Sequence, residues 1–329
     1  MSLTINHLVS GGLITNYYCS SECRHCLYRC SPRWPREFVT PDDAIETFAL
    51  IKVLGCDAVH IGGGEPLLNP EGVLSVLSAA GETGMAIEYL ETNSSWYKDT
   101  LSACMLLEKL AQGGLDTLLV SISPFHNEFV PFYKIKGVIE ACRDVGIAIF
   151  PWMADFYLDL DTLDEKTTHT LEEYSRLFGE RYLEDLPHRY GIVPGGRALE
   201  TLGPYVEAQS IQDLVEEKRG GCLELAQTLH FHIDLFGNYI PGMCAGLAIA
   251  KEDLGSPLDP NRYPIIHHLA EGGIGAFLEW ASVCHGFRPL HDTYATECEL
   301  CYEIRRYLAV DRPIDSKELA PAGHYRWGR

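Results

Sequence analysis

The sequence predicts an α/β fold in which parallel strands and helical crossovers form an open or partial barrel, followed by a small cysteine-rich α+β region. Three observations carry this expectation. From Gly11 to about Gly196, short apolar runs alternate with amphipathic stretches. The runs Ala58–Ile61, Ala86–Leu90, Thr117–Ile122 and Ile147–Trp152 recur about every 30 residues, the length of one strand–helix unit. Beyond about Gly203 the rhythm breaks, and cysteines and histidines crowd the chain instead. Strands separated by helix-length segments pair in parallel, because the crossover returns the chain to the same end of the sheet.

Leu13–Tyr17 reads as the opening strand and Tyr190–Val193 as a sixth. Six units suit a partial barrel better than a closed ring of eight. Between the strands, Thr40 is placed to cap a helix starting at Pro41, with Asp42 and Asp43 at its positive end. Ile45, Phe48, Ile51 and Leu54 then share one face, and Gly55 suits a left-handed exit. Pro131 to Gly146 repeats the design, with Ile135, Val138, Ile139, Cys142 and Val145 facing inward. The acidic, helical stretch Ala154–Arg189 lengthens the fifth crossover. Leu229–Leu235, Gly237-Asn238 and Tyr239-Ile240 read as a β-hairpin. Helices are expected over Ile274–Cys284 and from Cys298 to about Val310. The change of pattern places a boundary near residue 215, dividing the chain into 1–215 and 216–329.

The charge narrows the function classes. With 46 acidic and 26 basic residues the net charge is −20, a field that repels phosphate backbones and disfavours nucleic acid as a partner. Solubility alone accounts for such a balance. No apolar run has the roughly 18–20 residues of a membrane span, and Met1–Leu13 has neither the basic start nor the apolar core of a signal peptide. A cytoplasmic protein is the expectation. Twelve cysteines in a reducing compartment point to metal ligation rather than disulfides. Cys56, Cys104 and Cys142 stand alone in apolar segments and read as packing residues.

Cys19, Cys23 and Cys26 follow the first strand in a C-x3-C-x2-C arrangement. Three thiolates on a short loop can hold one face of a cubane [4Fe–4S] cluster and leave one iron open. With Cys30 as a fourth ligand, the same loop would make a closed zinc or electron-transfer site. Gly62-Gly63-Gly64-Glu65-Pro66 ends the second strand at the same barrel end as the cysteines, where functional loops gather in parallel α/β folds. Its glycines permit close backbone approach to a ligand, and the Glu65 carboxylate could hold an ammonium group.

On these residues the sequence resembles the radical S-adenosylmethionine (SAM) superfamily. Cys19, Cys23 and Cys26, with His25 before the third cysteine, look like its cluster motif, and Gly62–Pro66 looks like its SAM-binding loop. Thr92 and Asn93 after the third strand, and Ser121 and Ser123 at the end of the fourth, match positions where the family contacts SAM. Many relatives carry Asp where Ser123 stands, so His126 and Glu128 become candidates for reaching substrate. Pro194-Gly195-Gly196-Arg197-Ala198 resembles a sixth-strand feature of the family and adds Arg197 beside the cofactor. The resemblance, over roughly residues 11–200, implies a partial (β/α)6 TIM-like barrel. It also implies reductive cleavage of SAM at a three-cysteine [4Fe–4S] cluster, giving a 5′-deoxyadenosyl radical that takes hydrogen from a peptide or small molecule. A reductant such as ferredoxin or flavodoxin would supply the electron.

Cys222, Cys244, Cys298 and Cys301 can converge as a closed four-cysteine site. They are similar to the auxiliary-cluster domains, SPASM and its shorter twitch relative, that follow many radical SAM barrels. A second [4Fe–4S] cluster is the favoured expectation, with a structural zinc on the same ligands as the alternative. Cys284 could replace a ligand or stay free. His230 and His232 share a strand face, and they, with His267, His268, His285 and His291, read as hydrogen-bonded rather than metal-binding. A non-catalytic iron–sulfur or zinc protein with closed sites is the competing reading. It leaves Gly62–Pro66 without a purpose.

Overall fold

The computed structural model describes residues 3–327. The chain forms two compact units, one of residues 12–24 and 30–192, the other of residues 1–11, 25–29 and 193–329.

The first unit is built on five parallel strands: β1 (Gly11–Ile14), β2 (Ala58–Gly62), β3 (Ala86–Thr92), β4 (Thr117–Ser121) and β5 (Ala148–Trp152). They lie in sequential order, with Leu13 opposite Ile61, Ile61 opposite Leu90, Leu90 opposite Leu118 and Leu118 opposite Ile149. The helices α1 (Pro41–Val53), α2 (Pro70–Thr83), α3 (Thr100–Gln112), the short α4 (Pro124–Asn127) and α5 (Phe132–Val145) alternate with these strands. This is the parallel α/β architecture of a partial barrel. Val59, Ile61, Leu90, Leu118 and Val120 are fully buried with Phe48, Ile51, Val73, Leu107, Leu110 and Ile135 from the helices. Each such side chain contributes roughly 1.5–3 kcal/mol by leaving water.

Local chemistry starts the helices. Thr40 accepts from the Asp43 N–H, Asn69 from Gly72 and Asp99 from Ser102, each satisfying a donor that the first helical turn leaves without a partner. Gly146 ends α5 at φ +86°, a left-handed conformation open to glycine. The long fifth crossover folds into α6 (Tyr157–Asp161), α7 (Leu171–Phe178) and α8 (Arg181–Tyr190).

Tyr190–Val193 is not a strand. Tyr190 is the last residue of α8, and Gly191 caps that helix at φ +67°. Apolar residues that suggest a strand by density here finish an amphipathic helix: Tyr182, Leu186 and Tyr190 repeat every four residues and are buried. The run β1 to β5 therefore gains no sixth strand from Tyr190–Val193.

The second unit holds α9 (Ala198–Leu202), β6 (Gln209–Ser210), α10 (Ile211–Glu217), β7 (Phe231–Asp234), β8 (Asn238–Ile240) and β9 (Ile249–Ala250). It continues through α11 (Pro264–His285), β10 (Thr293–Tyr294), α12 (Glu297–Arg306) and α13 (Gly323–Arg326). The hairpin forms as expected. His232 pairs with Ile240 across an antiparallel turn, and Gly237 takes φ +76°. β9 adds a third strand on β8, and β10 pairs with β6. The expected helix from Ile274 is the second part of α11, which breaks at Gly273, φ +64°. Glu318, buried, accepts from the Ile265 and Ile266 N–H groups and so caps α11 from far along the chain. Among the described residues no helix is long and apolar enough to cross a membrane.

Candidate iron–sulfur and SAM site

In the first unit, Cys19 and Cys23 sit in the loop after β1, both buried at 6% exposure. The loop is tied down on several sides. The Cys19 N–H donates to the Ser31 carbonyl (3.2 Å). The Asn93 side-chain amide donates to the Cys19 sulfur (3.4 Å) and reaches Ser21 Oγ (3.5 Å). Ser20 donates to Ser95 (2.7 Å). Arg24 pairs with Glu128 (2.8 Å) and Glu172 (3.3 Å). The cysteine loop is thus pinned to the end of β3 and to the segments after α4 and at the start of α7.

The glycine loop after β2 lies against the residues that lead into Cys19. The Gly64 N–H donates to the Asn16 carbonyl (2.8 Å), and the Glu65 N–H to the Tyr18 carbonyl (3.1 Å). A Cβ at Gly64 would stand 2.1 Å from the Tyr18 oxygen, closer than any side chain can come. The absence of a side chain is needed for one loop's backbone to lie on the other's.

Glu65 is fully buried, and its carboxylate has three internal donors. Oε1 accepts from the Leu67 N–H (3.1 Å) and Thr92 Oγ1 (2.9 Å), and Oε2 from the Asn93 N–H (2.6 Å). Burial pushes its pKa up to about 7 against the pull of those bonds. The side chain considered for an ammonium group therefore welds the end of β2 to the end of β3. Thr92 Oγ1 also accepts from the Ser94 N–H and the Trp96 indole, so its hydroxyl is engaged within the protein. Pro66 begins a single 3-10 turn, Pro66–Leu68, that Glu65 caps.

At the end of β4, Ser121 pairs with Trp152 of β5. Ser123 is buried, caps α4, and shares a 2.7 Å hydrogen bond with His126 Nδ1. Burial drives the His126 pKa down to about 4, so this imidazole is neutral at physiological pH. Burial raises the pKa of Glu128, opposed by its ion pair with Arg24. His126 is committed to Ser123 and Glu128 to Arg24.

In the second unit, the segment with His25 and Cys26 rests on the Gly195-Gly196-Arg197 turn. The Cys26 carbonyl accepts from the Arg29 N–H (3.3 Å) and the Arg197 N–H (3.1 Å). Gly196 takes φ +55°, and a Cβ there would stand 2.1 Å from the Leu27 oxygen. Arg29, buried and itself at φ +54°, donates to the Gly196 carbonyl (3.1 Å) and pairs with Glu200 (2.7 Å). The sequence alone did not single out Arg29.

The four late cysteines belong to this unit. Cys222 precedes a 3-10 turn, its N–H bonded to the Leu269 carbonyl (2.7 Å). Cys244 follows the turn after β8, and Cys298 and Cys301 lie on α12. Their thiols are free of disulfides, and each lies within electrostatic reach of others in the set. Burial raises the pKa of all four, that of Cys244 to about 12. Cys284 is exposed. Cys56 and Cys142 are buried packing residues, while Cys104 is only partly covered. Among the histidines, His232 Nδ1 bonds Tyr28 Oη (2.7 Å), and its ring meets His230 edge-on.

The donor sets fit iron–sulfur clusters. Cys19 and Cys23 offer buried thiols, one already receiving an amide N–H, and the late set offers four free thiols within electrostatic reach of one another.

The chain is 28% identical to the AdoMet-dependent heme synthase of Methanosarcina barkeri over 191 residues, 56% of this chain and 50% of that protein. It is 28% identical to mouse (Mus musculus) molybdenum cofactor biosynthesis protein 1 over 137 residues, 39% of this chain and 21% of that protein. The chain thus spans half the length of one curated relative and about a fifth of the other. Among solved structures, anSMEcpe with bound AdoMet aligns with a TM-score of 0.45 at 14% identity, covering 92% of this chain and 97% of that one. BtrN in complex with AdoMet and 2-DOIA aligns with a TM-score of 0.42 at 14% identity, covering 82% and 91%. The profile of the radical SAM superfamily matches residues 13–176. Those residues contain the cysteine loop, the glycine loop and all of strands β2 to β5, and the chain belongs to the radical SAM superfamily.

Proposed function

We propose that Cys19, Cys23 and Cys26 hold a [4Fe–4S] cluster and that the loops ending β2, β3 and β4 receive SAM beside it. When bound, this pair of cofactors supplies one-electron cleavage of SAM to a 5′-deoxyadenosyl radical, which takes a hydrogen atom from substrate. The chain's own residues place and protect that chemistry. Asn93 donates to the Cys19 sulfur, Gly64 lets the two loops meet, and Glu65 holds the ends of β2 and β3 together. The observation that carries the reading is this mutual bonding of cysteine loop, glycine loop and β3 end.

The finer assignment goes further. Residues 1–215 carry the SAM chemistry, and 216–329 form a SPASM- or twitch-like segment in which Cys222, Cys244, Cys298 and Cys301 hold a second [4Fe–4S] cluster. The substrate is a peptide or small molecule, family analogy favours peptide modification, and a cytoplasmic ferredoxin or flavodoxin supplies electrons.

The test is anaerobic reconstitution with iron and sulfide, reduction with dithionite, addition of SAM and quantification of 5′-deoxyadenosine. Wild-type protein is expected to form it, and Cys23→Ala is not. A reconstituted wild type that forms none, and whose reduced EPR signal ignores SAM, sinks the reading and restores the closed-site electron-transfer protein.

A further inference from the structure

Arg305, on α12 one turn after Cys301, is 5% exposed. Nη1 donates to the Ala245 carbonyl (3.0 Å) and to Tyr325 Oη (3.3 Å). Nε has no acceptor among the described residues. The guanidinium stands 5.5 Å over the Tyr302 ring, and its residue follows Cys301 by one turn of the same helix, within electrostatic reach of that thiol. Among the described residues no ion pair ties it to a carboxylate, and Tyr325, Cys301, Cys244 and Tyr302 lie within its electrostatic reach. A guanidinium stays charged throughout the physiological range. Buried without a counter-charge, it is strongly unfavourable. Arg29, by contrast, is answered by Glu200. For Arg305 the available anion is the cysteine set itself.

We propose that Arg305 is the charge-compensating residue of the four-cysteine site, and that it holds the auxiliary cluster's potential up by stabilising the more negative, reduced state. This rests on the reading that Cys222, Cys244, Cys298 and Cys301 bind an iron–sulfur cluster. Four thiolates around a cluster bring a net negative charge into the place where this cation lies. The charge grows by one on reduction, so a fixed positive neighbour favours the reduced form. N–H donation toward cluster sulfur acts in the same direction.

The test uses the full chain with Cys19, Cys23 and Cys26 all changed to Ala, so that only the late site can carry iron. This parent is reconstituted, its iron counted, and its cluster titrated electrochemically with EPR detection. It then serves as reference for Arg305→Gln and Arg305→Lys, with circular dichroism reporting the fold. The parent is expected to bind about four irons. Arg305→Gln is expected to favour the reduced form at least tenfold less, a fall of about 59 mV for a one-electron couple, and Arg305→Lys to fall by less. An Arg305→Gln midpoint equal to the parent's overturns the proposal. Where Arg305→Gln does not fold, Arg305→Met, which keeps most of the side chain's length and apolar stem without its charge, decides: a midpoint equal to the parent's overturns it. A parent that binds no iron overturns the four-cysteine reading itself, an outcome distinct from a loaded parent whose potential ignores Arg305.

Discussion

The side-chain amide of Asn93 donates to the sulfur of Cys19 across 3.4 Å, from the end of β3 to the loop after β1. The two residues stand 74 positions apart, and the bond joins a residue matched to SAM contact with a residue matched to cluster ligation. An N–H directed at a thiolate ligand orients it and delocalises its charge. Removing such a partner typically costs 10- to 100-fold in metal affinity or activity. Asn93→Ala is therefore expected to lower iron retention in a chelator challenge by roughly that range, with the cysteine count unchanged. Iron retention equal to wild type would show that the bond has no such role.

Glu65→Gln tests the weld between β2 and β3. The amide can still accept from Leu67 and Thr92 but turns an N–H₂ toward the Asn93 N–H, or the reverse. An unsatisfied buried group of this kind costs about 1–3 kcal/mol, read as a lower denaturation midpoint. The pH dependence has a definite sign. Burial raises the carboxyl pKa to about 7 in the fold, so folding favours the protonated acid. The favourable contribution is complete below the unfolded value of about 4.5 and is lost as pH rises through 7. The stability difference between wild type and Glu65→Gln is expected to shrink over that window, and a difference that grows with pH contradicts the assignment.

Gly64→Ala places a methyl group 2.1 Å from the Tyr18 carbonyl oxygen, and Gly196→Ala places one at the same distance from that of Leu27, at φ +55°. Both neighbours are backbone and cannot swing aside. Each variant is expected to destabilise at the upper end of the ordinary range, about 3 kcal/mol. Gly81→Ala, with open space around it, is the control within a helix and is expected to match or exceed wild type in thermal unfolding.

Arg24→Ala removes the tie from the cysteine loop to Glu128 and Glu172. Arg24 is 44% exposed, so screening limits the stability loss to about 1 kcal/mol or less. The larger expected effect is kinetic, a faster loss of iron to chelator, because the loop is freed on one side. Unchanged iron release would assign the pair to the surface alone.

Cys284 and Cys244 separate ligands from bystanders. Cys284→Ser is expected to leave iron content at the wild-type level, since this thiol is exposed. Cys244→Ser is expected to lose about four of about eight irons. Equal loss in both would bring Cys284 into the ligand set.

Much of this was legible along the chain. The C-x3-C-x2-C run, Gly62–Pro66 and the strand rhythm are local signals, as is Thr40 before Pro41, because caps and turns are made by residues close in sequence. Tyr190–Val193 misleads because apolar density without its period does not separate a strand from the end of a buried helix. Glu65 was legible as an acid beside glycines that could hold an ammonium group, but not as a weld, since its donors Thr92 and Asn93 lie at the end of the next strand. Arg29 gave no signal at all, its partner Glu200 being 171 residues away.

The amino-acid sequence by itself determined the chemistry on offer: which thiols exist, where glycine permits close approach, and which segments become strand or helix. Those follow from residue type and near-neighbour geometry. Only the tertiary structure decided which polar groups are spent on one another. That choice made Glu65 and Thr92 internal fastenings, tied His126 to Ser123, and left Arg305 buried against Tyr302, Tyr325 and the Ala245 carbonyl. The reason is desolvation. A charge or hydroxyl removed from water must find a partner within hydrogen-bond reach, and that partner is chosen by packing, from anywhere in the chain.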